Sequence, residues 1–207
     1  MSRIGKIKLL MKSDQELMLG LSQIGVATPD QAYEYCKVNH DRLLRLEKSR
    51  YIVVEKISVS GNQNEIIHLT KFGQNWAHKK FGINYFPAWQ TTHLPHDLRL
   101  TREYFRLPIN IRQNWKHEND ILRANKHIIR GTCVDAIVTM TYRQYLGQAK
   151  DNEQFQILNY SVANSIPLDD EISVAVESIG GSYETDMVTE KYETAMTQFG
   201  CIAVITC

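Results

Sequence analysis

The chain has 207 residues, 43% of them hydrophobic, and its 24 Lys/Arg against 23 Asp/Glu give a formal net charge of +1. That length allows one or two domains with a sizeable core. No apolar run approaches the roughly 20 residues needed to span a bilayer, and the start MSRIGKIKLLMKSDQE lacks the apolar stretch of a signal peptide, so a cytoplasmic protein without a membrane partner is expected.

Helix signals recur at short intervals from the start. Ser13-Asp14-Gln15-Glu16 reads as a capping box ahead of Leu17, Met18, Leu21 and Ile24, which share one helical face, and Gly25 ends the helix. Thr28, Pro29 and Gln31 repeat the start signal for a short second helix to about Cys36. Asn39 caps a third, HDRLLRLEKSR, with Leu43, Leu44 and Leu46 facing inward and His40, Arg42, Arg45 and Lys48 outward.

Two β-rich runs, Tyr51–Val54 and Ile66–Thr70, flank the turn-rich segment 60–64 and predict a hairpin with Asn62 and Gln63 at its polar tip. Thr70 caps a further amphipathic helix, KFGQNWAHKK, whose Phe72 and Trp76 pack back. Three short helices, a hairpin and a closing helix are the element order of a winged helix-turn-helix over residues 1–90, with the third helix in the recognition position. Asn39, His40, Arg42, Arg45, Lys48, Asn62 and Gln63 are then the candidate DNA-binding residues, because Arg and Lys neutralise phosphates or read guanine while Asn and His reach base edges. The alternative use of such a unit is a protein contact with its basic side chains simply solvated.

Residues 81–92 read as a packed connector. Beyond it come a helix around LRLTREYFRL, strand-like runs at Cys133–Tyr142, Phe155–Tyr160 and Ile172–Glu177, a helix over 184–199 and a strand from Cys201. This order fits a restriction-endonuclease-like α/β sandwich over residues 91–207, so the fold class expected for the whole chain is α+β. Glu118 precedes the first long strand, Asp135 opens it and Glu177 ends another. Carboxylates on neighbouring strands hold Mg²⁺, which orients water and neutralises charge on a phosphate under attack, making Asp135 and Glu177 the candidate metal ligands and Glu118, Asp135, Glu177 and Lys191 the candidate catalytic set. Where such a nuclease carries Glu-x-Lys this chain reads Glu177-Ser178-Ile179, so Lys191 must swing in from the following helix or serve as an ion-pair partner instead.

Charge is unevenly spread: 13 Lys/Arg against 8 Asp/Glu in residues 1–90, 10 against 5 in 91–150, and 1 against 10 in 151–207. A basic surface suits a phosphate backbone, and an acidic end suits metal ligands or solubility. Cys36, Cys133, Cys201 and Cys207 form no C-x-x-C pair, against a zinc ribbon or a disulfide scaffold. His93-x-x-His96 with Asp97 reads as capping or packing sooner than as a metal pair. Gly180-Gly181 lacks phosphate-loop spacing, no serine or cysteine nucleophile signature is present, and nothing in the sequence activates Tyr183 or Tyr192.

Over nearly its full length the chain resembles the replication-relaxation protein family of plasmids and mobile elements. The resemblance runs through residues 14–19, Ala27-Thr28-Pro29-Asp30-Gln31-Ala32, Arg42-Leu43-Leu44-Arg45-Leu46 and His68-Leu69-Thr70-Lys71-Phe72-Gly73, then through residues 93–98 and 115–123, Val134-Asp135-Ala136, Val176-Glu177, Gly181, Glu184, Lys191 and Tyr192. It implies a winged helix fused to a nuclease-like domain and a role in replication, mobilisation or conjugative transfer. Double-stranded DNA, a second copy of the chain and replication or transfer proteins are the partner classes that follow. The competing function is a non-enzymatic regulator or accessory factor whose nuclease-like domain serves for dimerisation or partner binding.

Overall fold

A computed structural model of the chain describes residues 7, 9–59, 61–150, 152–180 and 185–207. The fold is mixed α+β with two sheets, and the chain separates into two compact units, Met1–Arg106 and Leu107–Cys207.

Unit 1 begins with α1 (Lys12–Ile24), whose N-cap is Met11 and not Ser13. Asp14 supplies the reason, because its carboxylate accepts the backbone N–H of Met11 at 2.6 Å from the third helical position. Helix α2 (Pro29–Cys36) follows the expected capping box: Thr28 Oγ1 accepts from Gln31 N at 3.1 Å, and Gln31 Oε1 accepts from Thr28 N at 3.0 Å. Helix α3 (His40–Lys48) is capped by Asn39 Oδ1, which accepts from Arg42 N at 2.9 Å, and it buries Leu43 and Leu46 while Leu44 stays half-buried.

The hairpin strands β1 (Ile52–Val59) and β2 (Asn62–Leu69) pair antiparallel along their whole length, Ile52 with Leu69 through Val59 with Asn62. The segment 60–64, expected as a loop, is therefore mostly ladder, and Gly61 at φ +82° sits in the tight turn. Ile57 and Val59 pack with Trp89 and Leu98 against Val26, Ile66 and Leu94, so apolar burial holds the distal hairpin down. Ala27 adds a bridge to Ile67. Helix α4 (Lys71–Phe81) starts where Thr70 Oγ1 accepts from Gly73 N at 3.0 Å, and Phe72 and Trp76 pack on Tyr51 at ring separations of 5.0 and 6.2 Å.

Helix α5 (Leu94–Arg106) belongs to unit 1, so the division falls after Arg106 and not at residue 90. Gln31 Nε2 donates to Leu98 O at 2.9 Å and Thr101 Oγ1 donates to Val26 O at 2.7 Å, tying the helix to the first bundle. The fit is close: a Cβ on Gly20 would lie 2.2 Å from the Phe105 ring. The connector is equally committed, since a Cβ on Gly25 would lie 2.8 Å from Pro87 O.

Unit 2 contains α6 (Ile109–Arg112), β3 (Lys116–His117), α7 (Glu118–Ala124), β4 (Ala136–Thr141), α8 (Tyr142–Ala149), β5 (Phe155–Ile157), α9 (Tyr160–Ala163), β6 (Glu171–Glu177), α10 (Thr185–Phe199) and β7 (Cys201–Thr206). Its five strands run in the order β3-β4-β6-β7-β5; β6 and β7 are parallel and every other pair antiparallel. The right partner for β7 across α10 is β6, as expected of a strand–helix–strand crossover. Strand β4 is shorter than Cys133–Tyr142 because Thr141 caps α8 through Gln144 N at 3.2 Å, and the run from Phe155 stops at Ile157 because Asn159 caps α9. Ile121, Cys133, Val134, Ile137, Ala175, Ala195, Cys201 and Val204 form one of its core clusters.

Candidate functional site

Strands β4 and β6 are antiparallel with Ala136 opposite Val176, so the residue before β4 and the last residue of β6 meet at one end of the sheet. Those residues are Asp135 and Glu177. Glu177 Oε2 accepts from Asp135 N at 3.1 Å, which by bond lengths alone places the two carboxyl groups within about 8 Å of each other. Asp135 Oδ2 accepts from Ser178 N at 2.7 Å, so each carboxylate is held by the other strand's backbone. Glu177 is fully buried at 0% exposure and Asp135 nearly so at 9%.

Lys191, on α10, reaches the same point. Its Nζ donates to Glu177 Oε1 at 2.5 Å, and the lysine is itself buried. Lys191 thus approaches Glu177 from the crossover helix and not from the strand. Burial first, then the Asp135 carboxylate, push Glu177 up to about 7, while Lys191 and the Asp135 N–H pull it down. Glu118 opens α7 beside them: its backbone N–H donates to Asp135 O at 2.8 Å, and its side chain is half-buried.

Three further residues neighbour the site. Cys133 is pushed up to about 12 by burial, then by Glu118, and further raised by Glu177 and Asp135, which leaves it a thiol and no nucleophile. Ser178 supplies the N–H that fixes Asp135; its place next to Glu177 was the available signal. Tyr192 buries its hydroxyl without a hydrogen-bond partner and is raised to about 12 by burial and then Glu177, so it is poorly suited to attack a phosphodiester. Tyr183, Gly181 and Glu184 lie outside the described residues.

Among the described residues no three His, Cys, Asp or Glu side chains converge to hold a metal ion. A metal ion at this sheet end would have two carboxylates, those of Asp135 and Glu177, to bind. Mg²⁺ commonly takes one or two carboxylates and keeps several waters, but here both Glu177 oxygens already accept hydrogen bonds, from Lys191 Nζ and from Asp135 N.

In unit 1 the candidate residues divide. Arg42 is committed inward: its Nε donates to Asp14 Oδ1 at 2.9 Å, and a terminal nitrogen donates to Asp14 Oδ2 at 2.5 Å and to Leu9 O at 3.1 Å. Asp14 is fully buried, so this arginine holds α3 to α1. Asn39, His40, Arg45 and Lys48 are exposed, with Arg45 and Lys48 one turn apart on α3. Gln63 is exposed near the hairpin turn, while the side chain of Asn62 lies outside the described residues.

No family model, no curated protein and no solved structure matches the chain. Among the described residues no helix is long and apolar enough to cross a membrane.

Proposed function

We propose that the chain is a DNA-binding protein of a plasmid or other mobile element, acting in replication, mobilisation or conjugative transfer. In this reading unit 1 is a winged helix-turn-helix that presents α3 to the major groove, and unit 2 is a restriction-endonuclease-like core that nicks DNA with Mg²⁺. The observation that carries the reading is the meeting of Asp135, Glu177 and Lys191, from two strands and the crossover helix, at one end of the unit 2 sheet. Carboxylates able to hold a metal ion, with a lysine beside them, form one arrangement that can serve phosphodiester hydrolysis. The α3 surface supports the targeting half, because Arg45, Lys48, His40 and Asn39 offer cations and hydrogen-bonding groups on one short helix.

In the proposed chemistry Asp135 and Glu177 would hold the ion, which would supply a polarised water and charge neutralisation. Lys191 shares Glu177 and stands ready to stabilise the developing phosphorane charge. The Ser178 and Asp135 N–H groups keep the two carboxylates aimed from fixed backbone.

A second reading, a non-enzymatic regulator or accessory factor that uses unit 2 for dimerisation or partner binding, is favoured by one observation. Both Glu177 oxygens are already engaged, one by Lys191 and one by Asp135 N, in a group with no exposure. Nicking of supercoiled plasmid separates the two. The enzymatic reading expects Mg²⁺-dependent open circles from the wild type and none from Asp135→Ala or Lys191→Ala; equal products from all three, or from none, sink it. Salt-dependent binding to duplex DNA tests the targeting half through Arg45→Ala and Lys48→Ala.

A further inference from the structure

Between α7 and β4 the chain forms a tight loop. Asn125 Nδ2 donates to Ile121 O at 2.9 Å, Ile128 N donates to Asn125 O at 3.0 Å, and Thr132 donates to Ile129 O through both N at 3.0 Å and Oγ1 at 2.9 Å. Ile128 turns inward and packs on the unit 2 core, whereas the next residue, Ile129, is 72% exposed. A single exposed isoleucine is ordinary in itself; its surroundings set this one apart.

Residues 107–207 contain 8 Lys/Arg against 13 Asp/Glu, an acidic balance. Yet Arg123, Lys126 and Arg130 crowd into residues 123–130 with His127 and with no acidic residue, and all four are exposed. The loop is also fastened to the carboxylate site. Arg130 donates to Asn119 Oδ1 at 2.9 Å, next to Glu118, and His127 Nε2 lies 3.4 Å from Gln198 Oε1 on α10, the helix that carries Lys191. At its far end the loop runs through Cys133 and Val134 into Asp135.

We infer that this loop is a nucleic-acid grip, in which Lys126, His127 and Arg130 hold phosphates of one strand while Ile129 wedges between bases, so that unit 2 prefers DNA with an unstacked step to intact duplex. The inference rests on the DNA reading given above. Charge complementarity favours a polyanion at an isolated cationic loop of an acidic unit, and an apolar side chain flanked by cations is the combination that unstacks base steps. The fixed hydrogen bonds of the loop keep Ile129 presented, so little ordering cost arises on binding.

The test uses the full chain and two fluorescent duplexes, one perfect and one with a central mismatch beside 2-aminopurine. Lys126→Ala/Arg130→Ala is expected to bind both duplexes about tenfold more weakly, with a salt slope smaller by about 2, and to keep the wild-type circular dichroism and melting. Ile129→Ser is expected to keep the slope but lose an approximately fivefold preference for the mismatched duplex, together with the 2-aminopurine brightening. Wild-type affinity and slope in the double variant, alongside weakened binding by Arg45→Ala/Lys48→Ala, overturn the grip and leave the DNA reading standing. A wild-type chain that binds neither duplex overturns both. Tighter binding of poly-glutamate than of DNA, lost in the double variant, reassigns the loop to an acidic protein. An undiminished mismatch preference in Ile129→Ser removes the wedge.

Discussion

Arg42 closes a two-point ion pair on Asp14, a carboxylate with no exposure, through Nε at 2.9 Å and a terminal nitrogen at 2.5 Å. The same Asp14 caps α1 through Met11 N, so one carboxylate serves a helix start and an interhelical clamp. Removing Arg42 leaves that carboxylate buried and uncompensated. Arg42→Ala is expected to lower stability by about 3–5 kcal/mol, whereas Arg45→Ala, on the exposed face, stays within about 0.5 kcal/mol. Urea melts of the two variants check this, and equal melts would show that the pair contributes nothing.

Gly20 faces Phe105, whose ring would lie 2.2 Å from an added Cβ. Gly20→Ala is therefore expected to cost about 1–3 kcal/mol by overpacking, despite alanine's better helix propensity. Phe105→Leu in the same chain returns part of that loss. Thermal unfolding of the two single variants and the double variant gives the coupling, and strict additivity would place the strain elsewhere.

Glu177 is expected to contribute a pH-dependent part of the stability of unit 2. Burial and Asp135 raise its folded value to about 7 from an ordinary 4.5, so the folded state binds this proton more tightly than the unfolded state does. Its contribution is thus fully present below the unfolded value and lost as pH rises through about 7. Unfolding free energies measured across this range should fall with rising pH, and Glu177→Gln should flatten that slope. Lys191→Met removes a group that pulls Glu177 down, so its loss of about 3–5 kcal/mol at alkaline pH should shrink in acid, where Glu177 is protonated. A Lys191→Met penalty independent of pH would show that the ion pair is not what Lys191 contributes.

Burial raises the thiols of Cys133 and Cys201 to about 12. Native protein treated with iodoacetamide at mildly alkaline pH should be alkylated at the half-buried Cys207 long before either of them, and all should react in urea. Peptide mass mapping over time reads the order. Early labelling of Cys133 would contradict the closed, apolar setting of the site.

Local chemistry in the sequence determined most of unit 1. Thr28, Gln31, Asn39 and Thr70 accept from backbone N–H groups three residues away, and Pro29 fits the first helical position, so their roles are legible from adjacent letters. The same holds for the α+β class and for strands β6 and β7. The tertiary structure alone decided that Arg42 faces a buried carboxylate 28 residues away, that α5 joins the first unit, and that the distal hairpin is packed down by Trp89 and Leu98. It also brought Lys191 to Glu177, 14 residues back across a strand–helix crossover. These are long-range pairings between charged or apolar groups, and spacing along the chain does not encode them because burial, not sequence distance, selects the partner.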